Sequence, residues 1–443
     1  MTIKEKTQII IQEMNNKLIE REHIVPMILL TLYSQQHMLL LGPPGVGKTY
    51  AIELIKHFVE EVKYFEYLIT PTTTIEELFG TKITESDGSV TYNIEQSMLD
   101  SHIVFNDEIF KGPSQLLNSQ LGITHSSRSF FQRGRGKLRS PMLSMFAASN
   151  ELPDNDAVDA FDDRLLFRFW VNEISDSENF KRFAKREFDR TQDFSASMTI
   201  EEIKAIRVNA SEVFIHDDFV GLYALVKEKL KAEKVRVSDR KLQSSLDIFQ
   251  VSAYINGRDY VDLSDLFILL DIAWKHYDDI SRTKRVIFDT IFGNPSEVAE
   301  VLKANQDAYK HVVSKMRSQI SNVLNYSYNF YGNNADEEFQ KSRQAIDEIK
   351  ISILTISQNI KSLKDNYLFA KNIEGRIERN IFLQNYKDHI YHREDTVGEK
   401  KVSKDEIFEL DSDITLVLRK LEKWLNETNE LYDYNNQRAL KGN

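Results

Sequence analysis

A glycine-rich stretch near the N-terminus holds the side chains with the most specific chemistry. Gly42, Gly47, Lys48 and Thr49 fill every fixed position of the pattern G-x-x-x-x-G-K-[ST]. In such a loop the backbone N–H groups point at phosphate oxygens, and the N-terminus of the following helix adds positive dipole charge. The lysine would neutralise the β- and γ-phosphates, while the threonine hydroxyl would coordinate Mg²⁺. The predicted nucleotide-binding residues are Gly42, Pro43, Pro44, Gly45, Val46, Gly47, Lys48, Thr49 and Tyr50.

A strand-like segment, residues 102–108, ends in two adjacent carboxylates. Asp107 could hold Mg²⁺ beside Thr49, and Glu108 could polarise the water that attacks the γ-phosphate. An adjacent Asp-Glu pair alone is usually a solvated turn, but a strand that follows a phosphate loop favours the catalytic interpretation. Asn106 interrupts the apolar run, so the end of the strand is expected to be exposed or hydrogen-bonded. We predict Thr49 and Asp107 as metal ligands and Glu108 as the catalytic base.

Asn150 follows another apolar run, residues 142–148. Its amide could hydrogen-bond the attacking water or the γ-phosphate, which would make it catalytic. An asparagine after a strand also forms Asx-turns, and the pattern leaves this alternative open.

Two arginines are candidates for stabilising the charge that develops during phosphate transfer. Arg164 could reach the γ-phosphate of a neighbouring subunit, or it could pair with Asp162 or Asp163. Arg240 lies in the first turn of a predicted helix, where a cation opposes the helix dipole, so a bound anion would explain it. A salt bridge to Asp239 or another carboxylate is the alternative.

A predicted hairpin, residues 129–141, carries a cluster of cations around its tip. We interpret it either as a loop that contacts a polymer or partner, or as a solvated basic turn. The cations are Arg133, Arg135, Lys137 and Arg139.

Most of the candidate site residues lie at the ends of predicted strands, which alternate with predicted helices along the chain. Five apolar runs separated by helical patterns predict a parallel sheet in a three-layer α/β core. These runs are residues 39–41, 64–70, 102–108, 142–148 and 165–171. From residue 176 the pattern turns helical, with amphipathic segments at 214–231, 238–254 and 263–277 that predict an all-α lid.

Beyond Pro295 the chain has no further proline and shows heptad-like apolar spacing. We predict roughly four helices, divided at residues 332–334, 366 and 396–399, in an elongated bundle or coiled-coil arm. The predicted domains are therefore a nucleotide-binding core at 1–175, a lid at 176–292 and a C-terminal helical region at 293–443.

Composition narrows the classes of function. The 443 residues carry a net charge of -11, which argues against binding nucleic acid mainly through phosphate neutralisation and favours a protein partner. The sequence has no cysteine, so disulfides and thiolate metal sites are excluded. No export signal and no apolar run of about 18 residues is evident, so we expect a cytoplasmic protein without membrane insertion.

Seven motifs in this order closely resemble the MoxR group of AAA+ ATPases and, within it, the RavA branch. The resemblance covers about residues 19–277. The motifs are LLLGPPGVGKT, FEYLITPTTTIEELFG, IVFNDEIFK, AASNELP, FDDRLLFRFW, VSDRK and INGRDYVDLSDLFIL. The helical region beyond residue 293 departs from the short MoxR plan, and no RavA-like β-rich tip domain is found in it.

This resemblance implies roles for the residues that match the family's motifs. Residues 42–49 would be the Walker A loop and Asp107-Glu108 the Walker B pair. Asn150 would be sensor 1, Arg164 the arginine finger and Arg240 the sensor 2 arginine. Residues 74–97 would be the helix-2 insert, and residues 129–141 the pre-sensor hairpin. The resemblance also implies ATP and Mg²⁺ as cofactors, a ring that is a hexamer, and chaperone-like work on a protein client with a von Willebrand factor A domain partner.

Three other functions stay open from the sequence. The same fold serves nucleic-acid motors and nuclease-linked NTPases, in which the basic hairpin would grip a strand. It also serves scaffolds in which ATP only locks a ring and the helical arm binds partners. A chelatase-like motor subunit is the third, and analogy of fold does not separate them.

Overall fold

The structure is a computed structural model that describes residues 1–86, 88, 90–132, 136–152, 158–293, 295–328, 335–384 and 404–441. Arg133 and Arg135, at the tip of the predicted basic hairpin, lie outside these ranges. The chain divides into two compact units. The first unit combines Met1–Ile287 with Ile373–Tyr391, and the second combines Phe288–Asn372 with His392–Asn443. The three-domain division at residues 175 and 292 stays a prediction.

A five-stranded, all-parallel sheet forms the centre of the first unit, as predicted. The strands in chain order are β1 Met38–Leu41, β2 Tyr64–Leu68, β3 Thr81–Thr84, β4 Val90–Asn93, β5 Ile103–Asp107, β6 Ser129–Gln132, β7 Gly136–Arg139, β8 Ser144–Ser149 and β9 Phe167–Trp170. The sheet order is β2-β5-β8-β1-β9. All residues of β1 and β8 are buried, which explains why central parallel strands appear in the sequence as uninterrupted apolar runs.

The sheet register places the chemistry-bearing loops side by side. Leu41 pairs with Ser149, and Asn106 pairs with Ala147, so the carboxyl ends of β1, β8 and β5 are neighbours. The residues that follow these ends include Gly42 and Asn150. Ligand sites in parallel α/β sheets form at this edge.

Two small antiparallel hairpins stand apart from the sheet, and the strands of the second lie within the hairpin predicted at residues 129–141. One pairs β3 with β4 and the other pairs β6 with β7. Between β2 and β3, a helix Ile75–Phe79 begins at Thr74, whose capping box with Glu77 satisfies the first backbone N–H groups.

The helices of the first unit surround the sheet and form the lid. They are α1 Ile3–Lys17, α2 Val25–Tyr33, α3 Lys48–Glu53, α4 Ile55–Phe58, α5 Ile75–Phe79, α6 Ser114–Ser119, α7 Asp159–Asp162, α8 Ser177–Lys185, α9 Ile200–Ala210, α10 Asp217–Ala232, α11 Asp239–Ile255 and α12 Tyr277–Phe292. The sequence predicted α10 and α11 closely but missed α8 and α9. It also predicted one helix over residues 263–277, which is wrong. A 3-10 helix, Leu263–Asp271, precedes α12 there, and the Asp262 side chain caps it.

A segment from the C-terminal part of the chain completes the first unit. The Asn380 side chain donates to Asp265 Oδ1 at 3.0 Å and accepts from Asn256 Nδ2 at 2.9 Å. Arg376 Nη1 lies 2.7 Å from Asp262 Oδ2. The lid is therefore built from residues more than a hundred positions apart in sequence.

Long helices form the second unit, as the heptad-like spacing predicted. They are α13 Pro295–Tyr328, α14 Ala335–Arg379, of which residues 335–372 belong to this unit, and α15 Lys404–Lys441. α14 is continuous, so the predicted break at residue 366 is wrong: an asparagine costs only a few tenths of a kcal/mol in a helix, too little to end one. The buried core of this unit is aliphatic and consists of Leu302, Ile346, Ile349, Ile353, Ile356, Ile360, Leu363, Ile407, Leu410, Ile414 and Leu421.

Asn106, the polar residue of β5, is fully buried and hydrogen-bonded. Its Nδ2 donates to Gln120 Oε1 at 3.2 Å, and Gln120 is also fully buried. Asn106 Oδ1 is buried and has no hydrogen-bond partner within the described ranges. The hydrogen-bonded alternative is thus present, and the exposed alternative is wrong.

Replacing Gln120 by methionine is expected to destabilise the fold by about 1–3 kcal/mol, because Asn106 would lose its amide partner in the core. The double variant Asn106→Leu, Gln120→Met removes both polar groups at similar volume and is expected to be at least as stable as the wild type. The midpoint of urea unfolding measures both effects. A single variant as stable as the wild type would show that the buried amide pair does not contribute to stability.

Candidate active site

The phosphate loop requires glycine at two positions for different reasons. Gly42 lies against the strand end after β9, where an added Cβ would be 2.2 Å from the Val171 carbonyl oxygen. Gly47 adopts a left-handed conformation with φ 82° and immediately precedes α3. This conformation strains any residue with a side chain. The loop therefore has the close approach and the sharp turn that the sequence pattern predicted.

Lys48 is buried beneath this loop. Its ammonium donates to Gly42 O at 2.7 Å, Pro43 O at 2.9 Å and Asn150 Oδ1 at 3.0 Å. Burial lowers the pKa of the lysine, and the Asp107 and Glu108 carboxylates oppose that change. The three neutral acceptors hold a cation at the loop, where phosphate oxygens would be stronger acceptors.

Thr49 and Asp107 offer two oxygen ligands side by side. Thr49 Oγ1 donates to Asp107 Oδ2 at 3.3 Å. The backbone N–H of Glu108 donates to the other Asp107 oxygen at 2.9 Å and fixes the carboxylate. One carboxylate and one hydroxyl fit Mg²⁺, which takes few protein ligands and completes its shell with water and substrate phosphates. The described residues contain no cluster of three His, Cys, Asp or Glu side chains that would hold a metal without substrate.

Glu108 is held at the end of β5 by a turn in the backbone. Its φ of 54° is left-handed and directs the chain into a 3-10 helix, Ile109–Lys111. Glu108 Oε1 accepts from Asn150 Nδ2 at 2.7 Å. Glu108 Oε2 is buried and accepts no hydrogen bond. Lys111 Nζ lies 3.3 Å from this oxygen and forms a salt bridge with it, but the angle between them does not fit a hydrogen bond. This oxygen is available to accept a proton or a hydrogen bond from water.

Asn150 connects the two charged groups of the site. Its oxygen accepts from Lys48 while its amide nitrogen donates to Glu108, so both ends of the amide are used. In these two contacts the side chain bonds to neither of its backbone neighbours, and its role in hydrolysis stays a prediction.

Arg21 supports the loop from behind and was missed by the sequence interpretation. Its Nη2 donates to Val46 O at 2.9 Å and to Asn172 O at 2.8 Å, and its Nε lies 3.3 Å from Val46 O. Burial lowers the pKa of this guanidinium, and Glu20 and Glu22 raise it. Only the three-dimensional contact identifies Arg21, because no motif in the sequence links it to the loop.

Arg164 and Arg240 form a second group with Asp163. Arg240 Nη1 donates to Asp163 Oδ2 at 2.9 Å, so a salt bridge exists, although not with Asp239. Arg164 makes no such bridge to Asp162, whose carboxylate pairs with Arg168. Burial lowers the pKa of Arg164, Arg240 lowers it further, and Asp163 opposes them. Arg164 Nε is buried and unpaired within the described part of the chain.

The structure thus brings together five predicted site residues through hydrogen bonds. These are Lys48, Thr49, Asp107, Glu108 and Asn150. The two arginines share a separate group around Asp163, and the described contacts do not join it to Lys48.

A family profile described as the MoxR domain in the MoxR-vWA-beta-propeller ternary systems matches residues 5–208. A second profile, an AAA lid domain, matches residues 218–287. The chain belongs to the MoxR family of AAA+ ATPases. The MoxR profile ends within α9 and the lid profile starts within α10. Membership in the RavA branch remains a prediction.

Three related proteins and one solved structure are similar to this chain. Two uncharacterized proteins of Methanocaldococcus jannaschii are 32% and 31% identical over 316 and 285 residues, covering 70% and 62% of this chain and 82% and 74% of theirs. Chaperone MoxR1 of Mycobacterium tuberculosis is 24% identical, covering 60% of this chain and 73% of its own. A crystal structure of a candidate ATPase from Cytophaga hutchinsonii matches 65% of this chain and 94% of that chain with a TM-score of 0.50 at 18% identity, which supports the fold alone.

A membrane-spanning segment was not expected from the sequence. Among the helices of the described ranges, none is both long enough and apolar enough to cross a bilayer.

Replacing Asn150 by alanine is expected to lower kcat for ATP hydrolysis by ~10²-fold or more, because Glu108 loses the donor that positions it and a positioned general base contributes ~10²- to 10⁴-fold. KM for ATP should change far less, because Lys48 keeps its two carbonyl acceptors and the loop is intact. Steady-state phosphate release measures both parameters. Asn209→Ala, an exposed asparagine of α9, is the control. A large rise in KM with kcat unchanged would assign Asn150 to nucleotide binding instead.

Proposed function

We propose that the protein hydrolyses ATP with Mg²⁺ in a ring oligomer and uses the energy to remodel or assemble a protein client. The observation that carries the proposal is the single hydrogen-bonded network from Lys48 through Asn150 to Glu108, beside the Thr49–Asp107 pair. A phosphate-binding cation, a metal-binding oxygen pair and a general base lie within one set of contacts. Membership in an AAA+ ATPase family supports the nucleotide as ATP.

Each residue has one task in this proposal. The loop N–H groups and Lys48 bind the β- and γ-phosphates. Thr49 and Asp107 would hold Mg²⁺, which would neutralise charge on the phosphate oxygens when bound. Glu108 takes a proton from water as the water oxygen bonds to the γ-phosphorus, and the bond to the β-phosphate oxygen breaks. Asn150 keeps the Glu108 carboxylate in position during this step.

Arg164 and Arg240 would act when subunits assemble. We propose that Arg164 reaches the nucleotide of the neighbouring subunit and that Arg240 contacts the γ-phosphate from the lid. The unpaired, buried Nε of the half-buried Arg164 supports this role, because a partly desolvated cation gains from an anion brought close to it. When ATP binds, Arg240 would leave Asp163 and contact the γ-phosphate. The salt bridge between Arg240 and Asp163 would then belong to the state without nucleotide.

The partner is proposed from the family. The matching profile is described from MoxR-vWA-beta-propeller ternary systems, and one relative is a chaperone. We therefore propose a von Willebrand factor A domain protein as partner, a hexameric ring and a cytoplasmic location. Glu108→Gln, which would retain ATP, is the variant to use as a trap. Co-elution with a purified von Willebrand factor A domain protein in ATP but not in ADP would support the partnership.

Removal of Mg²⁺ with EDTA is expected to abolish phosphate release from ATP. Thr49→Ala should raise the Mg²⁺ concentration for half-maximal release by about tenfold or more, since one ligand of the metal is lost, and 1.4 kcal/mol corresponds to tenfold. Thr72→Ala, an exposed threonine outside the site, is the control. Phosphate release that continues in EDTA would overturn the metal-dependent mechanism.

A further inference from the structure

Helix α8, Ser177–Lys185, buries none of its own residues. Phe180 and Phe183 are 57% and 49% exposed, and the Phe183 ring stacks on Phe188 with centroids 6.1 Å apart. Contiguous exposed aromatics rimmed by charge mark an interaction surface, because leaving them in water is costly. We call these three phenylalanines and their neighbouring cations the basic aromatic patch. Its exposed cations are Lys181, Arg182, Lys185 and Arg186. The exposed carboxylates of Glu178 and Glu187 pair with Lys181 and Lys185, so the net positive charge of this rim comes from Arg182 and Arg186.

The basic aromatic patch is anchored beside the phosphate loop. The Glu20 carboxylate accepts from the backbone N–H groups of Ser175 at 2.8 Å and Asp176 at 2.9 Å, at the start of α8. Asp176 then caps the helix by accepting from Asn179 N at 2.9 Å. Glu20 is followed directly by Arg21, which donates to the Val46 carbonyl of the phosphate loop. The start of α8 is therefore connected to the phosphate loop through these two residues. An ordered helix that exposes aromatics is prepared for a partner at low entropic cost.

A second exposed aromatic surface lies on the lid. The rings of Phe214 and His216 have centroids 4.7 Å apart, and those of His216 and Tyr260 are 5.6 Å apart. Phe214 is 60% exposed, and its backbone is fixed by hydrogen bonds of 2.9 Å with Asp259 and Val261. We call these rings and the adjoining carboxylates the acidic aromatic patch. Its exposed carboxylates are Glu212, Asp217, Asp218 and Asp259.

We propose that the basic aromatic patch of one copy docks on the acidic aromatic patch of a second copy of this chain. Each patch has an apolar centre, and the two rims carry opposite net charge, so contact buries aromatic rings and brings Arg182 and Arg186 to the carboxylates of the lid. Pairing α8 with α8 would instead place Arg182 and Arg186 of one copy against the same two arginines of the other. Two different patches on one chain form a head-to-tail contact, the kind of contact from which rings are built when the rotation between subunits closes. The inference rests on the proposed ring and identifies its subunit surface.

Cross-linking between defined cysteines tests the docking directly, because the sequence has no cysteine of its own. One copy carries Ala184→Cys on α8, and the other carries Ser211→Cys beside the acidic aromatic patch; both positions are exposed. With ATP and a bismaleimide, we expect a covalent dimer in the mixture and at most a trace in either variant alone. Ser352→Cys replaces Ser211→Cys in the control mixture. Both serines are exposed and donate to a carbonyl of their own helix or turn.

The outcomes separate this inference from the proposed ring. A dimer from Ala184→Cys alone would mean that α8 pairs with itself, which overturns the inference. An ATP-dependent oligomer by mass measurement without a cross-link in the Ala184–Ser211 mixture would also overturn it, while the ring survives. A chain that stays monomeric in ATP would overturn both.

A concentration series supplies the second measurement. The double variant Phe180→Ser, Phe183→Ser should raise the protein concentration that gives half-maximal turnover per subunit by at least about tenfold, as for loss of aromatic anchors at an interface. Turnover at saturating protein should approach that of the wild type, since neither residue touches the nucleotide site contacts described above. Folding is checked by circular dichroism. An unchanged concentration dependence in the folded variant would overturn the docking.

Discussion

Glu108→Gln is expected to slow ATP hydrolysis by ~10²- to 10⁴-fold, the usual contribution of a positioned general base. The carboxylate oxygen that is free of hydrogen bonds, Oε2, is the atom that would take the proton from water. Glutamine keeps the shape and can still accept from Asn150, but its amide cannot take a proton. Lys48 and the loop are unchanged, so ATP should bind with an affinity near that of the wild type.

Single-turnover phosphate release and equilibrium nucleotide binding, measured on the same preparation, check this expectation. Glu201→Gln, at an exposed position of α9, is the matched control for the loss of one negative charge. A variant that hydrolyses ATP at the wild-type rate would remove Glu108 as the base. Loss of ATP binding together with hydrolysis would mean that Glu108 only maintains the loop.

Arg164→Ala is expected to lower turnover by ~10³- to 10⁵-fold, the range for an arginine that stabilises the transition state in trans. Binding of ATP to the isolated subunit should persist, because Arg164 makes no described contact with the phosphate loop of its own chain. Arg164→Lys should recover little activity, since a point charge does not reproduce the planar guanidinium. Arg236→Ala, an exposed arginine of the lid, is the control.

Mixing two inactive variants distinguishes an active site that is formed by two subunits from one that is formed by a single chain. Arg164→Ala has an intact phosphate loop, and Lys48→Ala has an intact Arg164. In a ring, some Arg164→Ala subunits would receive the arginine of a Lys48→Ala neighbour. Activity of the mixture above both separate variants is therefore the expected result. A mixture no more active than its components would argue that Arg164 acts within its own chain or not at all.

The phosphate loop could be predicted from sequence because its chemistry is local. Gly42, Gly47, Lys48 and Thr49 lie within eight positions, and each has a role fixed by backbone geometry or charge. The five parallel strands could also be predicted from the sequence, because strands that are buried on both faces appear as uninterrupted apolar runs. The adjacency of Asp107 and Asn150 then follows from the parallel arrangement of their strands.

Contacts between distant positions could not be predicted from local patterns. Arg21 holds Val46 through a backbone carbonyl, which has no residue signature. Asn380 completes the lid across more than a hundred residues, and Asp163 rather than Asp239 pairs with Arg240. The sequence pattern left Asn106 either exposed or hydrogen-bonded and could not choose between the two. Gln120, the residue after α6, becomes its partner only in the folded chain.

The most direct test of a shared, Mg²⁺-dependent ATPase site is phosphate release by the wild-type protein across a series of protein concentrations, with mass measured with and without ATP. We predict turnover per subunit that rises with protein concentration, together with an oligomer that forms in ATP. The arginine of one subunit then completes the site of the next. Constant turnover per subunit from a protein that remains monomeric in ATP would contradict the shared site.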